Sequence, residues 1–142
     1  MLSRTEYYDA IVGFFQNAFA EVFGEEIRET EVKKEYEKNG YFRIVYRYAP
    51  QNYTLKVDCH RKLYDIFIAD DEGAETNLYR VTKFDHSLTQ EKILEAVRKV
   101  KDIVESDDIV LYIYRDDKVY RKTKDGVVRR VKNVMEEMFG GK

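Results

Sequence analysis

One cysteine, two histidines, one proline and seven scattered glycines leave this chain short of the residues that usually build ligand cages and reactive centres. A lone Cys59 allows no intramolecular disulfide. Together with His60 and His86 it falls short of a structural zinc site, which takes four ligands of this kind. Cys59 and His60 are also adjacent, so in a strand they point to opposite faces. Cys59 reads as a buried structural thiol, and the histidines as surface residues. There is no Gly-x-Ser-x-Gly elbow, and an adjacent Cys and His in a strand make no nucleophile–base pair. The glycines nowhere form a Gly-rich strand-to-helix loop for phosphate. No window approaches the ~18 consecutive apolar residues of a membrane span. The start, Met1-Leu2-Ser3-Arg4-Thr5-Glu6, lacks the basic residues and apolar run of a secretory signal. These absences predict a cytoplasmic protein without membrane contact, metal or cofactor.

Carboxylates are plentiful, in Asp70-Asp71-Glu72, Asp107-Asp108 and Asp116-Asp117. Paired acids can hold magnesium for phosphoryl chemistry. Each group falls where a turn is predicted, however, and Asp side chains suit turns because they bond the local backbone. The run Asp70 to Gly73 also lacks calcium-loop spacing. Turn chemistry is the better reading.

What the chain does have is charge and tyrosine. Its 142 residues are 44% apolar and 37% charged, with twelve tyrosines and a net charge of −2. That length and composition predict one folded domain over residues 1–142. The charge is unevenly spread. Residues 1–40 hold nine acids and five bases, whereas residues 111–132 hold eight bases and three acids. Such asymmetry shapes encounters with charged partners.

Hydrophobic spacing predicts an α+β fold. A first helix runs from about Arg4 to Phe23, opened by a Ser3–Glu6 capping box and closed at Gly24. Its apolar stripe of Tyr8, Ile11, Phe15, Ala18, Phe19 and Val22 is widened by Val12, Phe14 and Phe23, more than one sheet needs. Strands follow at Thr30–Glu37, 41–48, 53–59, 63–69 and Leu78–Phe84. An Asn39-Gly40 two-residue turn joins the first two. A second helix, with a Ser87–Gln90 capping box, carries Ile93, Val97, Val100 and Val104 at helical spacing. Two more strands, Ile109–Tyr114 and Lys118–Thr123, flank Asp116-Asp117. The tail reads two ways. Asp125-Gly126 and Val127-Val128 suit a hairpin, while Val128, Val131, Met135 and Met138 have helical spacing; a helix over Val128–Phe139 is favoured. The expected architecture is one antiparallel sheet of about six strands, two helices on one face and a short C-terminal helix, in the order helix, five strands, helix, two strands, helix.

The basic, tyrosine-laced stretch from Tyr112 to Lys132 is the main functional candidate. Tyr114, Arg115, Lys118, Tyr120, Arg121 and Lys122, with Arg129 and Arg130, make a surface of cations and rings. Single-stranded nucleic acid is bound by such mixtures. The plainer reading is a charged hairpin that blunts a sheet edge. The acidic segment from Glu25 to Glu37 has two readings as well: a mimic that fills a basic cleft, or the solvent side of an edge strand.

Three functional expectations follow. The leading one is a non-catalytic binding protein acting through a protein partner, with an immunity-type or phage-borne inhibitor fitting the size and charge. The second is single-stranded nucleic-acid binding through the basic hairpin. The third is a small-ligand domain or enzyme with a pocket between helix 1 and the sheet. Homo-dimerisation through the helix 1 stripe or a free edge strand is a separate expectation.

Overall fold

The computed structural model describes residues 1–123 and 125–134. Helix α1 spans Arg4–Phe23. Its first orphan donors are satisfied reciprocally: Glu6 N–H donates to Ser3 Oγ at 3.1 Å, and Ser3 N–H to Glu6 Oε1 at 3.0 Å. Gly24, at φ +58, closes it.

Among the described residues, a single eight-stranded antiparallel sheet follows chain order without a crossover. Its strands are β1 (Ile27–Glu35), β2 (Tyr41–Tyr48), β3 (Tyr53–His60), β4 (Leu63–Ala69), β5 (Glu75–Asn77), β6 (Leu111–Arg115), β7 (Lys118–Lys122) and β8 (Val128–Arg130). Helix α2 (Gln90–Ser106) interrupts the meander between β5 and β6. The long ladders run from β1 to β4, whereas β5 meets β6 through one register pair, Glu75 with Tyr112.

Strand periodicity sorts the faces. Phe42, Ile44, Tyr46 and Tyr48 of β2 point inward with Leu55, Val57 and Cys59 of β3 and Tyr64, Ile66 and Ile68 of β4. Both helices cover that face, so the core lies between one helical layer and one sheet. Phe15 and Phe19, both fully buried, fill the space over β2: Phe19 stacks on Tyr46 at 4.3 Å, and Phe15 meets Tyr64 edge-on at 4.8 Å. The wide stripe of α1 serves two neighbours, the sheet and α2. A smaller cluster of Tyr112, Val119 and Val131 packs on the opposite face of β6 and β7. Among the described residues, no helix is long and apolar enough to cross a membrane.

The α+β class, the antiparallel sheet and the two helices on one face match the expectation, but the sheet has eight strands rather than about six. β8 accounts for part of the difference. Val128–Arg130 pair with β7, so the expected C-terminal helix does not begin at Val128. Of the rest of that expected helix, residues 135 to 139 lie outside the described residues. The fifth strand is not Leu78–Phe84. It is Glu75–Asn77, and it stops because the Asn77 side chain accepts the Tyr79 N–H at 3.0 Å, turning the chain into a 3-10 turn over Leu78–Arg80. The first strand begins earlier, at Ile27, with a bulge between Glu29 and Glu31. Asn39 and Gly40 do adopt positive φ, but within a longer turn closed by Gly40 N–H on the Tyr36 carbonyl. Two-residue turns occur instead at Arg61-Lys62, between His60 and Leu63, and at Asp116-Asp117, between Arg115 and Lys118. Helix α2 is capped by Thr89, whose hydroxyl accepts the Lys92 N–H, rather than by Ser87.

Candidate binding surfaces

The predicted basic site is divided by the pleat. In the β6–β7 ladder, Tyr114 opposes Val119 and Tyr112 opposes Arg121 on one face; Arg115 opposes Lys118, and Ile113 opposes Tyr120, on the other. β8 adds Arg129 beside Arg121 and Arg130 beside Tyr120. So Tyr114, Arg121 and Arg129 share one face, while Arg115, Lys118, Tyr120, Lys122 and Arg130 share the core-side face. Tyr114 is 64% exposed. Tyr120 is half-buried against the core, with the Arg115 guanidinium over its ring at 5.7 Å. Lys122 is committed to structure: its ammonium donates to Asp70 Oδ2 at 2.6 Å and also to the Glu72 carboxylate. A continuous cationic stacking surface is therefore not assembled from these eight residues. Arg121, Thr123, Asp125, Val127 and Arg129 instead enclose a recess of about 190 Å³.

The acid-rich turns carry out the backbone work expected of them. Asp70 Oδ1 accepts the N–H groups of Glu72 and Ala74, and Asp85 Oδ1 accepts that of Ser87. Asp107, at φ +54, caps the end of α2. Cys59 is buried, and burial first, with Asp58 beside it, pushes its thiol up to about 12. Such a thiol stays protonated and unreactive near neutral pH. Among the described residues, no three His, Cys, Asp or Glu side chains gather as a metal site.

A surface that sequence reasoning did not single out is the face of β1–β5 turned away from α1 and α2. Pairing places Tyr41, Arg43, Val45 and Arg47 of β2 on it, beside Thr54, Lys56 and Asp58 of β3 and Asp65, Phe67 and Ala69 of β4. β1 contributes Arg28, Glu31, Lys33 and Glu35, and β5 contributes Glu75 and Asn77. Its charges balance: Arg28, Lys33, Arg43, Arg47 and Lys56 against Glu31, Glu35, Asp58, Asp65 and Glu75. Arg43 donates from Nε and Nη2 to Asp58 Oδ2 at 3.3 and 3.0 Å. Arg47 makes a two-pronged contact with Asp71, at 2.8 and 3.2 Å. The Lys56 ammonium rests over the Phe67 ring at 5.4 Å. Asp65, opposite Asp58, has no ion pair among the described residues. The alternation of β2, β3 and β4 was the available signal for this face. Arg43, Arg47, Lys56 and Asp58 are the outward half of the pattern whose inward half builds the core.

The space between α1 and the sheet is occupied by side chains, with Phe15, Phe19, Phe42, Ile44 and Leu55 all fully buried there. No protein-family model, curated protein or solved structure matches the chain.

Proposed function

We propose that this protein is a non-catalytic binding module that holds a protein partner against the face of β1–β5 that, among the described residues, no helix covers. One observation carries this reading. The face has balanced charges, fixed arginines and half-exposed rings at Tyr41 and Phe67, spread over long regular ladders. Nucleic acid favours a surface of one sign. Protein interfaces take their strongest contacts from Tyr, Trp and Arg anchors within a polar rim. Arg43 and Arg47 are already oriented by Asp58 and Asp71, so less side-chain freedom is lost when a partner docks. A small inhibitor of immunity type or phage origin would act this way, by covering a partner's surface.

The test is affinity capture from the cells that encode the protein, followed by binding of the recovered partner to two paired variants. Tyr41→Ala with Phe67→Ser should lose the partner. Arg121→Glu with Arg129→Glu should keep it. The opposite pattern would overturn the proposal and move the site to the hairpin.

A second reading, single-stranded nucleic-acid binding at the hairpin, is favoured by the Arg121–Arg129 cross-strand pair beside its recess. The Asp125 carboxylate lines the same recess, so two cations and one anion face it. Anisotropy of a labelled oligonucleotide should then fall steeply with salt, and Arg121→Glu with Arg129→Glu should abolish it. Binding that survives both substitutions would eliminate this reading. Lys122 is left intact here, because its loss would disturb the ion pairs with Asp70 and Glu72.

A further inference from the structure

The N-terminal turn of α1 meets two hairpin tips at one end of the sheet, and a basin opens between them. Two adjoining recesses, of about 270 and 540 Å³, share Arg4, Tyr8 and Lys62; Arg61 lines the first and Tyr7 the second. Among the described residues, no acidic side chain lines either recess. Nearby bases are already paired: Lys34 with Asp9, Lys38 with Glu35, and Arg43 with Asp58. Arg4 and Arg61 have no ion pair among the described residues, and Lys62 has only the Tyr7 ring, 5.4 Å from its ammonium. Glu6, in the same helical turn as Arg4, is committed to the capping box.

The floor of the basin is rigid. Tyr8 is 7% exposed, stacks on Tyr36 at 5.3 Å and meets Tyr7 edge-on at 5.0 Å. Its ring lies so close to Gly40 that a Cβ there would sit 2.2 Å from Tyr8 Oη. Yet Tyr8 lines both recesses, and its hydroxyl has no hydrogen-bond partner among the described residues. The cationic wall is preset too. Arg61 and Lys62 both hold positive φ, at 55° and 63°, where Asn-Gly is the usual choice. The Arg61 N–H donates to the Asn39 carbonyl at 2.9 Å, locking one hairpin tip to the other. Strained backbone held by its surroundings is commonly found at ligand-binding positions.

We infer that this basin is a binding site for a small phosphorylated ligand. Arg4, Arg61 and Lys62 supply the charge, the Tyr8 hydroxyl donates to a phosphate oxygen, and the Tyr7 ring offers a face to any attached base. Arg suits phosphate because its fixed fork of donors matches two oxygens at once. The site is separate from the sheet face proposed above and stands or falls independently of it.

Calorimetric titration of the full chain at low ionic strength, with tripolyphosphate and with ATP, tests the inference. Both should bind, and the Arg4→Gln and Arg61→Gln proteins should each bind about tenfold more weakly, the loss of one charge-assisted contact. Arg4 and Arg61 are solvent-exposed, so these variants keep the fold. Tyr8→Phe preserves the stacking and should still weaken binding, and Arg129→Gln should not. Tighter binding of ATP than of tripolyphosphate would identify a nucleotide; equal binding would identify the phosphate chain alone. Absence of heat with both ligands at millimolar concentration would overturn the inference. So would affinity unaffected by Arg4→Gln and Arg61→Gln together.

Discussion

Lys122 and Asp70 sit at side-chain exposures of 16% and 15%, so their ion pair is screened far less than the surface pairs around it. Glu72, at 74%, adds little. Removing the ammonium while keeping the volume, as in Lys122→Met, leaves a half-buried carboxylate without its cation, and we expect a loss of about 2 kcal/mol in urea unfolding at pH 7. The pH dependence carries a sign. Burial pushes the Asp70 carboxyl up, but the Lys122 ammonium and the N–H groups of Ala74 and Glu72 outweigh it, and the net value lies below the ordinary 3.8. A carboxyl depressed on folding stabilises fully above its unfolded pKa, and the contribution fades as pH falls through the folded value. Native protein should therefore lose stability below about pH 4, and Lys122→Met should show a shallower acid arm. Gly40 makes a second prediction. At φ +74, and with Tyr8 Oη where a Cβ would go, Gly40→Ala combines backbone strain with a clash. It should cost about 2 kcal/mol or more, read as a lowered urea midpoint with an unchanged slope.

At the scale of the element, the cap of α2 separates expectation from finding. Ser87 and Gln90 have capping-box spacing, but the hydroxyl that accepts an amide is that of Thr89, and Ser87 is tied to Asp85 instead. Thr89→Ala should destabilise the protein by about 1 kcal/mol, with Ser87→Ala costing less than half of that; thermal unfolding of the two variants decides it. The contrast shows what is legible in a sequence. α1, β2, β3 and β4 can be read almost to the residue, because each carries a strong period and its ends are local chemistry, such as Ser3 with Glu6. The short elements are not legible. β5 has three residues and ends on an Asn77 side-chain bond, and β8 exists only because β7 lies beside it. The candidate sites follow the same division. The outward residues of β2–β4 were implied by the alternation that gave the core. The basin of Arg4, Arg61 and Lys62 joins positions far apart in the chain, and no local pattern marks that meeting.

Across the whole molecule, the sheet has a dense half and a thin seam. β2, β3 and β4 are flanked by strands on both sides and lie beneath the helices. β5 and β6 share one register pair, and the Lys122–Asp70 bridge crosses near that join. Native-state hydrogen exchange should find the slowest amides in β2–β4. β7 and β8 should open at a free energy below that of global unfolding, and Lys122→Met should widen the gap. Uniform protection across all eight strands would contradict this picture.

The two-sided packing of α1 also has a consequence for the order of synthesis. Glu21 pairs with Arg98, and the Val22 carbonyl accepts from Lys101, partners 77 and 79 residues further along the chain. A chain emerging from the ribosome can lay each of the first five strands against the one before it, since neighbours in space are neighbours in time. The flank of α1 that α2 will cover must stay open throughout that interval. α1 is thus finished only after five strands that follow it, and the nascent protein carries an exposed apolar flank on that helix until α2 arrives.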